Sequence, residues 1–422
     1  MRSYQPDTRK QPRRRSTGTL ALLLGAAALL AAGCSKEEET VFSVTTSKGG
    51  ERTATVMASA TKQYVVVNDE RIGDKYANVG VPVFSNDGNV VAFKATSGDK
   101  QLVIREGRRV GNRYDVAGTP SISPDGKSIA FAAYNGREGF IVKDGERLGK
   151  ETYELVSKPV YHPDGRSVVF TATQGTEDGG TQTFIVKDGK RTGDIYDAIN
   201  DLAFSPDGGS LIFKALVKDK WFIVKDKVQI SDGYHRIYGL CFGPDGRTFA
   251  FAAQLSMTNP RSVVIKNDSK VGGQYDTVGR LVFSPDGSSL AFAAVSAGTW
   301  SLIKDGAPLQ GTDGGPVGTP VFSPDGTSLA FAARSGGKWH IVKDGKRVSK
   351  QYDAVTMPVF GPDGRSLAFG AQSGKTWSVI KNGISVGGPY DQVMHVQTST
   401  DGTRLTFTAN RGSAHIQSDV PW

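Results

Sequence analysis

The sequence predicts an all-β protein, a β-propeller of four-stranded antiparallel blades, and three observations carry that prediction. An Asp-Gly pair recurs at Asp87, Asp125, Asp164, Asp207, Asp245, Asp286, Asp325, Asp363 and Asp401, with spacings of 38, 39, 43, 38, 41, 39, 38 and 38 residues. So regular a period marks a solenoid or a propeller, and about 40 residues is the length of a propeller blade. No segment holds a 3.6-residue apolar period over a useful length, which excludes the helical solenoids. The second segment of the repeat ("LAFAA", "SIAFAA", "VVFTA", "LIFKA") is apolar on both sides, as a strand covered on both sheet faces requires.

One period, residues 319–356, supplies the elements in order. "PVFS" is a short β-rich segment that ends at Pro-Asp-Gly, where Pro at the second position and Gly at the fourth suit a type I turn followed by a left-handed residue. "SLAFAA" is the buried second strand and ends at Ser-Gly-Gly. "WHIVK" is the third strand and runs into Asp344-Gly345, the strongest short hairpin signal because a type I′ turn needs positive φ twice. A fourth strand passes through "QYDAV". Eight complete units span roughly 81–394. A partial unit precedes them with its third and fourth strands clear, and "HVQTSTDGTRLTFTAN" follows with a first and second strand. The expectation is that the two ends share one blade, which closes the ring and removes exposed edges. Counting then gives nine blades, with eight as the alternative because four to eight is the usual range.

The first forty residues read as an export signal. Arg9, Lys10 and Arg13-Arg14-Arg15 precede the apolar run Leu20 to Ala32, which is shorter than the ~20 residues of a membrane span. Ala32-Gly33-Cys34 resembles the lipobox of bacterial lipoproteins, with Ala31 where that family usually has Leu. The resemblance implies cleavage before Cys34, a diacylglyceryl group on its sulfur and a lipid anchor; Ser35 in place of Asp resembles the outer-membrane sorting pattern. The domains expected are a signal peptide at 1–33, a short linker at 34–52 and the propeller at 53–422. Residues 1–33 hold six Lys and Arg against one acid, Asp7, so cleavage lowers the formal charge from +9 to +4. Nucleic-acid binding thereby loses its electrostatic footing. Cys241 is then the only other cysteine, read as a small buried hydrophobe rather than part of a disulfide.

"FSPDG…LAF" followed by "IVKDG" resembles the WD40-like PD40 repeat of the TolB propeller and of bacterial envelope proteins. The resemblance covers about Val81 to Ala409 and implies the fold rather than an activity. The separate α/β domain that precedes the TolB propeller has no counterpart here.

The Asp-Gly aspartates, Asp125, Asp164, Asp207, Asp245, Asp286, Asp325 and Asp363 in the best-formed copies, sit one per blade, roughly 10 Å or more apart. Metal binding needs several ligands converging on one point, so these read as turn residues bonding their own backbone. The "YD" pairs (Tyr114-Asp115, Tyr196-Asp197, Tyr275-Asp276, Tyr352-Asp353, Tyr390-Asp391) read as packing and capping groups. Lys143, Lys187, Lys225, Lys304, Lys343 and Lys381, which precede the hairpin between third and fourth strands, form a ring of charge on one face. "GAQSGKT" at 370–376 is one residue short of a phosphate loop and lies between strands. The five histidines, His162, His235, His340, His395 and His415, lack zinc spacing. Trp221, Trp300, Trp339 and Trp377 recur at the start of the third strand and read as blade packing.

What varies between units is the connection from second to third strand: "YNGREG", "TQGTEDGGTQT", "LVKDK" and "QLSMTNPRS". Function on rigid scaffolds concentrates in such loops. The function expected is therefore a lipid-anchored, monomeric platform for an envelope protein partner, placed at the outer membrane facing the periplasm, with no cofactor, metal or nucleic acid. The alternative is a hydrolase or lyase acting on polysaccharide or peptide at the axial face. It would draw on Glu177, Asp178, Asp219, Arg261 and Arg334.

Overall fold

Ten antiparallel sheets follow one another along the chain in the computed structural model, which describes residues 40–47, 52–258, 260–399, 401–412 and 414–422. They span residues 40–76, 78–114, 116–147, 155–196, 198–229, 236–275, 277–309, 321–347, 354–390 and 392–421, and are numbered here as blades 1 to 10. Within a blade, strands a, b, c and d pair in sequence order. The a strands of successive blades approach one another, as where Ser121 Oγ donates to Pro159 O at 2.7 Å, so a lines the axis and d the rim. In several blades strand a is two short pieces, both paired with b; Pro82, Pro120, Pro159 and Pro358 lie in such breaks, where a missing N–H removes a ladder bond.

The count corrects the expectation of nine or eight blades, and the ends do not share a sheet. Thr40–Thr46 forms strand a of blade 1, pairing with Thr53–Ala58. Ala414–Pro421 forms strand c of blade 10 against Arg404–Arg411. Both ends thus supply their own strands b and c, and one blade has no room for two of each. The first described strand, Thr40–Thr46, also lies inside 34–52, the stretch read as linker, and pairs within blade 1. The signal segment and Cys34 lie outside the described residues.

The b strands carry the core. Phe131, Phe292 and Phe331 are fully buried, as are the alanines beside them. Nine apolar clusters fill the nine interfaces between consecutive blades. At eight of these, a Tyr at or just beyond the end of strand d of one blade meets the b-strand Phe of the next, from Tyr76–Phe93 to Tyr390–Phe407, at centroid distances of 5.7–6.2 Å. Edge-to-face rings of this kind contribute beyond the area they bury. Blade 7 ends in "TDGGPV" and supplies no Tyr.

Blades 10 and 1 meet differently. Among the described residues blade 10 has no strand d and so no Tyr, and blade 1 has Thr55 where other b strands have Phe. Polar contacts bridge this seam: Thr53 Oγ1 donates to Gln417 Oε1 at 2.6 Å, and Gln397 Nε2 reaches Ser47 O at 3.4 Å. The ring closes by side-chain hydrogen bonds instead of by a shared sheet.

On the turn side of the disc, a glycine in the c–d turn packs on a strand-d glycine of the preceding blade. The pairs are Gly73–Gly107, Gly111–Gly145, Gly149–Gly189 and Gly272–Gly306. A Cβ on Gly306 would lie 2.9 Å from the Gly272 nitrogen, and Gly306 has φ +86. Backbone packs on backbone there, and only glycine permits it.

Candidate functional site

Two faces result, one of uniform turns and one of variable loops. The uniform face carries the Asp-Gly aspartates. Asp325 Oδ1 accepts from Ser323 Oγ at 2.5 Å and from the Thr327 N–H at 3.1 Å, while Gly326 has φ +73 and its N–H donates to Ser323 O at 2.8 Å. Ser323 Oγ in turn accepts the Ser328 N–H at 2.9 Å. The same Ser–Asp unit recurs at Asp87, Asp125, Asp207, Asp286 and Asp401. His162 replaces the serine before Asp164, and Gly243 and Gly361 replace it before Asp245 and Asp363. Each carboxylate bonds within its own turn, and Asp125, Asp207, Asp245, Asp286 and Asp325 also abut the turn glycine of the next blade, as Asp125 abuts Gly165. Among the described residues no three His, Cys, Asp or Glu side chains converge on one point.

The Ser284 and Ser288 hydroxyls and then the Ser288 N–H hold the pKa of Asp286 down to about 2, and the Ser399 hydroxyl and then the Thr403 N–H do the same for Asp401. A folded value below the unfolded one, near 3.9, contributes stability that is complete above that pH and disappears as pH falls through the folded value. Thermal midpoints are therefore expected to drop between pH 4 and pH 2. The double variant Asp286→Asn and Asp401→Asn should be less stable at pH 7 and show a shallower acid slope, read by circular dichroism melts across that window. An unchanged slope would show that these turns do not couple to folding.

The lysine ring is structural as well. Lys343 Nζ lies 5.3 Å over the Phe360 ring and donates to Arg365 O in the next blade at 3.1 Å. Lys143 makes the same reach, to Arg166 O at 2.7 Å, and Lys381 instead donates to Pro421 O in strand c of blade 10 at 2.8 Å. Lys225 and Lys304 keep the ring contact, over Phe249 and Phe322. Lys187 departs from this pattern.

The "YD" aspartates tie the loop face together. Asp197 accepts the Lys218 N–H at 2.9 Å, Asp276 the Ala297 N–H at 2.7 Å and Asp353 the Gly374 N–H at 2.8 Å. Asp115 and Asp391 do the same for Gly136 and Gly412, both at 2.5 Å. Each thus anchors the b–c hairpin of the blade it leads into. "GAQSGKT" is one such hairpin, with Gly374 at φ +63 between two strands. Lys100 and Lys338 add ion pairs to Asp115 and Asp353.

Within this loop face, blades 5 to 7 enclose a groove of about 640 Å³ lined by Asn200, Lys214, Trp221, Arg236, Tyr238 and Gln254, among others. Lys214 stands on strand b where blades 3, 6, 7 and 8 have Ala132, Ala252, Ala293 and Ala332. Its Nζ meets Asp201 Oδ2 at 2.7 Å, donates to Ile237 O at 3.0 Å and lies 5.7 Å over the Trp221 ring. Tyr238 donates to Ser262 Oγ at 2.7 Å, and Arg261 Nε is 3.8 Å from Asp276. The wall is a fixed array of hydrogen-bonding groups around two aromatic rings. Beside it, Met257 is 78% exposed on the longest loop of this sector.

The other polar residues considered for catalysis are not brought together. Glu177 and Asp178 lie on the blade 4 hairpin, Asp219 on that of blade 5, Arg261 on that of blade 6 and Arg334 on that of blade 8. Asp178 accepts from Thr176 Oγ1, a turn contact that lowers its pKa. Arg334 Nε donates to Gly337 O at 3.2 Å. Cys241 is half-buried against the cluster of blades 6 and 7, and burial raises its thiol to about 11, so it carries no nucleophilic character at neutral pH. His340 is buried at strand c of blade 8 with its pKa lowered by burial. Lys214 was legible as the one lysine inside "LIFKA"; its partners Asp201 and Ile237 lie on neighbouring strands and gave no local signal.

No family model matches the chain, and no curated protein matches it. Solved structures do. A eukaryotic initiation factor shares 13% identity over 74% of this chain and 88% of its own, with TM-score 0.49. The β-propeller domain of the Trilobed protease from Pyrococcus furiosus, described as having an open velcro topology, shares 12% over 75% and 96%, with TM-score 0.35. The Dos1 propeller shares 13% over 73% and 93%, with TM-score 0.37.

Proposed function

We propose that the chain is a lipid-anchored cell-envelope protein whose propeller is a rigid platform, and that the groove over blades 5 to 7 docks a protein partner. One observation carries the reading. The turn face repeats one hydrogen-bonded unit with few changes, whereas the loop face varies in length and composition and holds a preorganised polar groove beside an exposed methionine. Fixed aromatic and cationic groups bordered by variable loops suit recognition of a protein surface. The lipobox-like "AGCS" supports the anchor and the envelope setting.

A photo-crosslinking residue at Met257 in living cells is expected to trap a discrete partner, and the same residue at Lys346 on the turn face is not. Equal adducts from both positions, or none from Met257, would count against the groove. Cys34→Ala is expected to move the protein from the membrane to the soluble fraction. Retention in the membrane would remove the lipid anchor from the reading and leave the groove untouched.

A further inference from the structure

Between blades 4 and 5 two departures from the repeat coincide on the turn face. The first is Lys227, which stands where the c–d turns of blades 2, 3, 4, 7, 8 and 9 have Gly107, Gly145, Gly189, Gly306, Gly345 and Gly383. It takes the glycine conformation, φ +71, but its side chain prevents the close backbone approach made at Gly272–Gly306. The strand-d glycine facing this seam, Gly193, accordingly has no neighbour within 4 Å of a built Cβ.

The second departure is His162, which replaces the serine of the Ser-Pro-Asp-Gly turn. Its ring lies 4.8 Å from that of Phe204, edge to face, and its Nε2 donates to Gly208 O at 3.0 Å. Nδ1 lies 3.2 Å from the Asp164 nitrogen and 3.0 Å from its Oδ1, so both ring nitrogens are held within the turn region. Phe204 and the Gly208 turn are the places that the equivalent lysine reaches in other blades. Lys187 is displaced from both, and among the described residues it has no hydrogen-bond or ion-pair partner. Tyr196 is also released: Tyr76, Tyr114 and Tyr275 accept an N–H two residues earlier, at 3.3, 3.1 and 3.1 Å, and Tyr196 has no such bond.

The result is a cavity of about 380 Å³ between the two blades. Val169, Ile185, Phe204, Leu211, Phe213 and the Tyr196 ring supply its apolar wall. Lys187 and Lys227 border it, with Asp194 and Asp226. Asp226 is already committed, since its Oδ1 accepts the Leu211 N–H at 2.8 Å, and Asp194 is exposed. The two lysines are exposed as Asp194 is, so the uncommitted charges at the mouth are two cations against one carboxylate, and the volume suits a small ligand.

We propose that this cavity binds a small anion with an apolar body, such as a carboxylate on a medium-length chain, with Lys187 and Lys227 holding the anionic head. The site is separate from the loop-face groove and does not rest on that reading. The test is titration calorimetry of decanoate into the full-length chain purified without detergent. One site is expected, with affinity at least tenfold higher for decanoate than for decyltrimethylammonium. Lys227→Gly restores the glycine pair and is expected to weaken decanoate at least tenfold while keeping or raising the thermal midpoint. Lys187→Ala should weaken binding with the fold intact, reporting the charge without closing the seam. Absence of decanoate binding to the natural chain, equal binding by the Lys227→Gly variant, or preference for the ammonium compound would each overturn the proposal.

Discussion

Phe292→Ala is expected to destabilise the protein by about 3–5 kcal/mol, because the ring is fully buried and the rigid blade interface cannot collapse around the void. The phenyl packs in the cluster between blades 6 and 7 and meets the Tyr275 ring at 5.7 Å. Its removal deletes that aromatic contact together with the apolar burial. Tyr275→Phe is the informative comparison. It keeps the ring and loses only the hydroxyl that accepts the Gly273 N–H at 3.1 Å, for an expected cost of about 1 kcal/mol. Chemical denaturation followed by tryptophan fluorescence reads both. If Phe292→Ala cost no more than Tyr275→Phe, the aromatic ladder would not be what joins the blades.

Gly306→Ala is the second large effect, and it separates two costs. The left-handed backbone alone penalises a Cβ by about 1–2 kcal/mol. At Gly306 the added carbon would also lie 2.9 Å from Gly272 N and 3.3 Å from its Cα, and backbone cannot move aside as a flexible side chain would. Overpacking of that kind adds about 1–3 kcal/mol. Gly383 has nearly the same φ, +82, with nothing within 4 Å, so Gly383→Ala should show the conformational cost alone. The Gly306 variant should therefore unfold at lower denaturant than the Gly383 variant. Equal midpoints would mean that the paired glycines serve the turn and not the seam.

Much of this was written locally. The Pro-Asp-Gly turn, the Asp-Gly hairpin and the doubly apolar second strand each follow from five or six residues, because turn φ values and strand burial are local demands. The blade count was misread for an equally physical reason. "TVFSVTT" and "AHIQSDVP" carry no Asp-Gly punctuation of their own, and pairing with Thr53–Ala58 and Arg404–Arg411 makes them strands.

The functional surfaces divide along the same line. Sequence by itself determined the repeat, the all-β class and the face on which loops vary, since each depends on neighbours along the chain. His162 and Lys227 are visible there as "YHPDG" and "KDKV", two odd copies 65 residues apart. Only the tertiary structure placed both at one seam, because strand d of one blade meets the c–d turn of the next. It likewise set Lys214 against Asp201 and closed the ring through Thr53 and Gln417, contacts fixed by how sheets stack around an axis.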